Sequence, residues 1–128
     1  MSFNYTAPTE TIETSGGNIT VRGFSLDDLH TLIQRGHGES ITPLIRGDLN
    51  FADLVTDAPA LAADVIALAA DAPDAAAEIA RLPIGVQTRV LTAVYRLTFG
   101  EFDMGNLFRL LAKTIVTAQQ AIRENSHI

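Results

Sequence analysis

The chain contains no cysteine and no tryptophan, and its aromatic complement is six Phe and two Tyr. Without cysteine there can be no disulfide staples and no thiolate zinc site, and a reducing cytoplasm fits. Long apolar runs are missing as well. Asp57, Asp64, Asp71, Asp74 and Glu78 interrupt the most aliphatic stretch, so no run reaches the roughly 18 residues of a bilayer-spanning helix and a soluble protein is expected. The opening MSFNYTAPTET has neither the basic start nor the apolar stretch of a secretory signal. Positive charge is scarce: nine Lys or Arg stand against fifteen Asp or Glu, a net charge of −6. Such a surface repels a phosphate backbone, and so few aromatics build no stacking platform for single strands.

What is present is aliphatic. At 128 residues and 47% hydrophobic, the chain has the size and apolar content of one compact domain with a buried core. Its charge is uneven, with about −9 on residues 1–80 and +3 on residues 81–128. Either the halves attract each other within the fold, or the basic part meets an acidic partner or a second copy; homo-oligomerisation is one expectation.

The segment TETIETSGGNITVRG (residues 9–23) places two β-prone runs around Ser15, Gly16, Gly17 and Asn18, the chemistry of a hairpin turn. Alternation puts Ile12, Ile19 and Val21 on the covered face, with Thr11, Glu13, Thr20 and Arg22 outward. The apolar rhythm then changes from two to three or four. Ser25 is placed to cap a helix and Asp28 to close a short capping box, with Leu26, Leu29, Leu32 and Ile33 as its stripe and Gly36 as its stop.

A short helix is expected over about Glu39–Arg46, with Ile41, Leu44, Ile45, Leu49 and Phe51 as core contacts. Asp-Ala-Pro occurs at 57–59 and 71–73, and both copies read as helix starts in which Asp caps and Pro occupies the first turn. The Ala-rich stretch between Asp57 and Ala80 suits packing on more than one side. Pro83 opens a helix to about Thr98, with Val86, Val90, Leu91, Val94 and Leu97 inward and Arg89 and Arg96 on the far side. Asp103 then caps a terminal helix whose stripe holds Met104, Leu107, Phe108, Leu111, Ile115, Ala118 and Ile122. The predicted architecture is mainly α: one domain over 1–128, with an arm and β-hairpin at 1–24, a bundle of about five or six helices at 25–123 and a frayed tail at 124–128.

Chemistry is thinner. His30 lies on the polar side of its helix, His127 in the tail, and His37 between two glycines. His37 with Glu39 and Asp48 offers donors for a cation, but solvent-exposed loop residues are the preferred reading, and no metal or cofactor is expected. No G-x-S-x-G elbow occurs, and SGGN lacks the Lys-Ser or Lys-Thr and the helix start of a phosphate cradle. Asp27 with Asp28, and Asp71 with Asp74, are explained by helix-start electrostatics. No enzyme is predicted. The broadest apolar surface is on the terminal helix, facing the core, a partner or both; the candidate partner-binding residues are Leu107, Phe108, Leu111, Ile115 and Ile122.

NITVRGFSLDDLHTLI following a Gly-Gly turn, and VQTRVLTAVYRLTF ahead of a terminal helix, resemble the tail assembly chaperones, or pre-tape-measure proteins, of long-tailed bacteriophages. The resemblance spans roughly Thr9 to Leu111. It implies a non-enzymatic helper in the host cytoplasm that binds the tape measure protein, keeps it soluble for tail tube assembly and is absent from the finished particle. In many relatives a frameshifted longer form recruits the tail tube protein, and the ending RENSHI is compatible with the short form. The competing class is a small acidic helical adaptor for a basic partner, using Asp57, Asp64, Asp71 and Glu78 along one helical side.

Overall fold

In a computed structural model of the chain, the described residues are 3–46, 51–100 and 113–122. Strands β1 (Thr9–Thr14) and β2 (Gly17–Arg22) form a two-stranded antiparallel sheet with Ile12 opposite Ile19 and Thr11 opposite Thr20. The alternation works as expected: Ile12 and Val21 are buried and Ile19 packs against the core, while the Thr11 and Thr20 hydroxyls pair at 2.8 Å on the open face. The turn needs one left-handed residue, Gly17 at φ 136°, rather than the two or three that the sequence offers. Thr14 does the rest, since the Gly16 N–H donates to its hydroxyl, which donates to the Gly17 carbonyl.

Helix α1 (Leu26–Gln34) starts with the expected reciprocal box: the Ser25 hydroxyl accepts from the Asp28 N–H, and the Asp28 carboxylate accepts from the Ser25 N–H. This satisfies donors that a helix start leaves open. Leu29, Leu32 and Ile33 are buried, but Leu26 is 57% exposed, because the inward position of the first turn belongs to Asp28. Gly36, at φ 90°, ends the helix, with the His37 N–H returning to the Leu32 carbonyl and the Gly36 N–H to that of Ile33. That closure needs a residue in left-handed conformation, where glycine carries no Cβ penalty.

Helix α2 (Gly38–Ile45) buries Ile41, and a 3-10 turn over Phe51–Asp53 leads into α3 (Leu54–Asp57). The central element is α4 (Pro59–Ala69), in which eight of eleven residues are buried. It touches α1, α3, α5, α6 and β2, the multi-sided packing that small alanines permit. Pro59 does occupy its first position, but the N-cap is Ala58, and Asp57 closes α3 without capping α4.

The second Asp-Ala-Pro corrects the expectation more sharply. Asp71 sits at φ 54° and ends α4 as Gly36 ends α1, with the Ala72 N–H reaching the Ala67 carbonyl and the Asp71 N–H that of Leu68. It is a stop, not a start. The next helix, α5 (Ala76–Ile79), begins after Ala75. Helix α6 (Ile84–Phe99) follows Pro83 as expected and buries Val90, Leu91, Ala93 and Val94 beneath the hairpin. Residues 113–122 form a further helix, α7, whose Ile115 joins the core. Leu49, Asp103, Met104, Leu107, Phe108, Leu110 and Leu111 lie outside the described residues.

Candidate functional site

Two polar clusters stand out, and both are saturated by the fold. Arg22 was expected to face water. Instead its guanidinium turns inward at the end of β2 and uses all five N–H donors: Nη1 and Nη2 grip the two Asp28 oxygens at 2.6 and 3.1 Å, and Nε reaches Asp71 at 3.0 Å. The remaining donors go to the Gly23 and Leu68 carbonyls. The planar fork suits this task as an ammonium would not. Hydrogen bonding to Asp28 raises the Arg22 pKa above its ordinary value, with burial opposing. Burial also acts against ionisation of Asp28, but hydrogen bonds from Arg22 and Ser25 more than offset it, and its pKa falls below the ordinary carboxylate value.

The second cluster corrects the reading of His37 as a free loop residue. Its Nε2 lies 2.6 Å from Asp64 on α4, and the other Asp64 oxygen accepts from Arg35 at 2.8 Å. Both side chains of the His37–Asp64 pair are largely buried. Asp48 is outside the described residues, and among those described no group of three metal-ligating side chains occurs.

These contacts also remove the proposed acidic stripe. Asp57 ends α3, Asp64 lies in α4, Asp71 follows it and Glu78 lies in α5, so the four do not line one helix. Asp64 and Asp71 are already paired with cations of the same chain. Of the four arginine–carboxylate pairs described, three join residues within the acidic part; Arg96 to Glu10, at 3.4 Å, links the two halves. Arg89 donates to the Glu13 carbonyl at 3.2 Å. The side of α6 carrying Arg89 and Arg96 therefore clasps β1 and does not point away from the body, and the groove between them, about 280 Å³, is lined by these arginines, Glu10, Ile12 and three threonines.

The apolar candidate is α7. Ile115, Ala118, Gln119 and Ile122 recur at i, i+3, i+4 and i+7, one helical face. Along that face burial fades. Ile115 is 2% exposed, Ala118 and Gln119 are half-buried, and Ile122 is 49% exposed. Val116, on another side, is 52% exposed. The inward stripe thus runs off the edge of the body. Of the expected partner-binding residues, Ile122 lies on open surface and Ile115 is part of the core, while Leu107, Phe108 and Leu111 are outside the described residues.

A sequence-family model described as Pre-tape measure protein matches residues 1–127, almost the whole chain. The chain belongs to the pre-tape measure protein family. Its role is accordingly in phage tail assembly, within an assembly family and not a known enzyme family. No curated protein and no solved structure matches this pre-tape measure family member.

Proposed function

We propose that this chain is a tail assembly chaperone that binds the tape measure protein through the apolar stripe of α7, keeps it soluble in the host cytoplasm until the tail tube assembles, and leaves no copy in the finished particle. One observation carries the choice of surface: a stripe anchored in the core at Ile115 emerges at Ile122, in a chain of the pre-tape measure family. A client with long helix-forming segments exposes apolar faces before assembly, and a helix edge with uncovered aliphatic groups is what such a face docks against.

Fully burying an Ile side chain contributes about 1.5–3 kcal/mol, so covering the exposed half of Ile122 contributes about 1 kcal/mol. Ile122→Asp reverses that term and adds the cost of a desolvated carboxylate, for an expected loss of at least tenfold in affinity, which is about 1.4 kcal/mol. Co-expression with the tape measure gene should raise the soluble fraction of that protein. Ile122→Asp, with helical circular dichroism intact, should lower it. Wild-type chain that leaves the client insoluble refutes the proposed function. Binding retained at high salt supports apolar contact, whereas collapse above roughly 0.5 M salt supports the acidic adaptor.

A further inference from the structure

The arginines of the chain differ in how much of their hydrogen-bonding capacity the fold consumes. Arg22 spends every donor internally, and Arg35 is divided between Asp64 and the Pro73 carbonyl. On α6 the arginines are exposed and lightly engaged: Arg89 donates to the Glu13 carbonyl, and Arg96 to Glu10 at 3.4 Å. Each keeps most of its guanidinium donors, and Arg89 has no carboxylate partner among the described residues. Thr88 and Thr92, which line the same groove, turn their hydroxyls back to carbonyls of their own helix, so the spare side-chain donors there belong to the arginines. The other wall of the groove is the outer edge of β1, a strand that pairs with β2 alone among the described residues. The bond from Arg89 shows that the Glu13 carbonyl points away from β2, and in an antiparallel pair the peptide groups of alternate residues point alike. Thr9 and Thr11 therefore present their N–H and C=O groups along that same edge, with no strand beside them to take them up.

We propose that this groove docks an extended acidic segment of another protein by strand addition: the segment's backbone pairs with Thr9 and Thr11 along the free edge of β1, and its carboxylates, at alternate positions, meet Arg89 and Arg96. Main-chain pairing supplies a register and the arginines supply the selection. Charge decides the occupant, since these two cations belong to the part of the chain that carries +3 within a total of −6. They stand seven residues apart, about 10 Å along α6, and alternate residues of a strand about 6.6 Å apart, a difference that the long arginine stems absorb. Glu10 holds Arg96 through a long, exposed contact and yields it at little cost. With Glu10 and Glu13 at the rim, a few carboxylates on an otherwise uncharged strand fit better than the dense charge of a nucleic acid backbone. This site goes beyond the chaperone reading, because it uses no residue of α7 and stands whether or not the partner is the tape measure protein.

The probe is a short fluorescent peptide with blocked ends in which Val alternates with Asp, titrated into the full chain at low salt and followed by anisotropy. It should bind saturably, and its counterpart with Asn in place of Asp should bind at least about tenfold more weakly. Arg89→Gln and Arg96→Gln, each with wild-type circular dichroism, should weaken the Val-Asp peptide by a similar factor. On the wild-type chain, saturation with that peptide should slow hydrogen exchange of the Thr11 amide at least about tenfold, a readout that needs no variant. No saturable binding below about 1 mM overturns the proposal, as does equal affinity for the Asn peptide. Binding that leaves the Thr11 amide unprotected overturns the strand addition, and displacement by inorganic phosphate at the peptide's own concentration overturns it too, by reducing the groove to a simple anion site.

Discussion

Replacing Arg22 with Met keeps the length of the side-chain stem and removes every guanidinium bond. It leaves Asp28, 6% exposed, with the Ser25 N–H as its remaining described side-chain contact. Removing one partner of a buried pair costs about 3–5 kcal/mol; because the Arg22 side chain is 23% exposed and water can reach it, the lower figure, about 3 kcal/mol, is expected. Asp28→Asn preserves shape and still accepts from Ser25, but leaves Arg22 with the exposed Asp71 as its carboxylate partner, for about 2 kcal/mol. The double variant should lose little beyond Arg22→Met, giving a coupling of about 2 kcal/mol from urea unfolding followed at 222 nm. Since domains are stable by about 5–15 kcal/mol in total, these shifts are easily measured. The same pair sets an acid limb. Asp28 titrates lower when folded than its unfolded value near 3.9, so its contribution is complete above that value and disappears as pH falls through the depressed one. Asp28→Asn should flatten that limb. A coupling under about 0.5 kcal/mol, typical of exposed pairs, would refute the view that this contact is a sheltered tie.

Asp71→Gly should be neutral or stabilising by up to about 1 kcal/mol, because it relieves a left-handed non-glycine residue and forfeits only an exposed ion pair; a loss above about 1 kcal/mol in the same unfolding assay would show that Asp71 matters to Arg22 more than geometry suggests. Gly23→Ala places a Cβ 2.8 Å from the Leu97 carbonyl oxygen, beside the 2.8 Å bond from the Phe24 N–H to the Thr98 hydroxyl. Pushing backbone from backbone should cost about 1–3 kcal/mol, and a wild-type unfolding midpoint would mean that the hairpin does not lie this close to α6.

The elements legible in the sequence were those whose causes are local. Ser25 and Asp28 are three residues apart, Gly36 follows its stripe directly, and Ile12, Ile19 and Val21 alternate, so capping, stop and face could be read without a fold. Arg22 could not. Period two assigns it to the outer face, and two of its partners, Leu68 and Asp71, lie 46 and 49 residues away. The same holds for His37 and Asp64, separated by 27. Asp71 was misread because aspartate is a common helix cap; Pro73, two residues on, was the available sign of a helix end, since proline often follows one closely. On α7 the spacing defined the stripe but not the edge of the body, and burial parts Ile115 from Ile122 at that edge.

The order of the chain gives the Arg22 tie a bearing on biosynthesis. The hairpin leaves the ribosome before α4 and α6, yet a two-stranded sheet alone is barely stable in water. The carbonyl and carboxylate that complete its guanidinium's coordination are translated almost fifty residues later, and the helix it lies on, Ile84–Phe99, later still. A segment made before its partners is thus fastened only after them, and a nascent chain stalled before Leu68 would carry residues 9–22 as a loose ribbon.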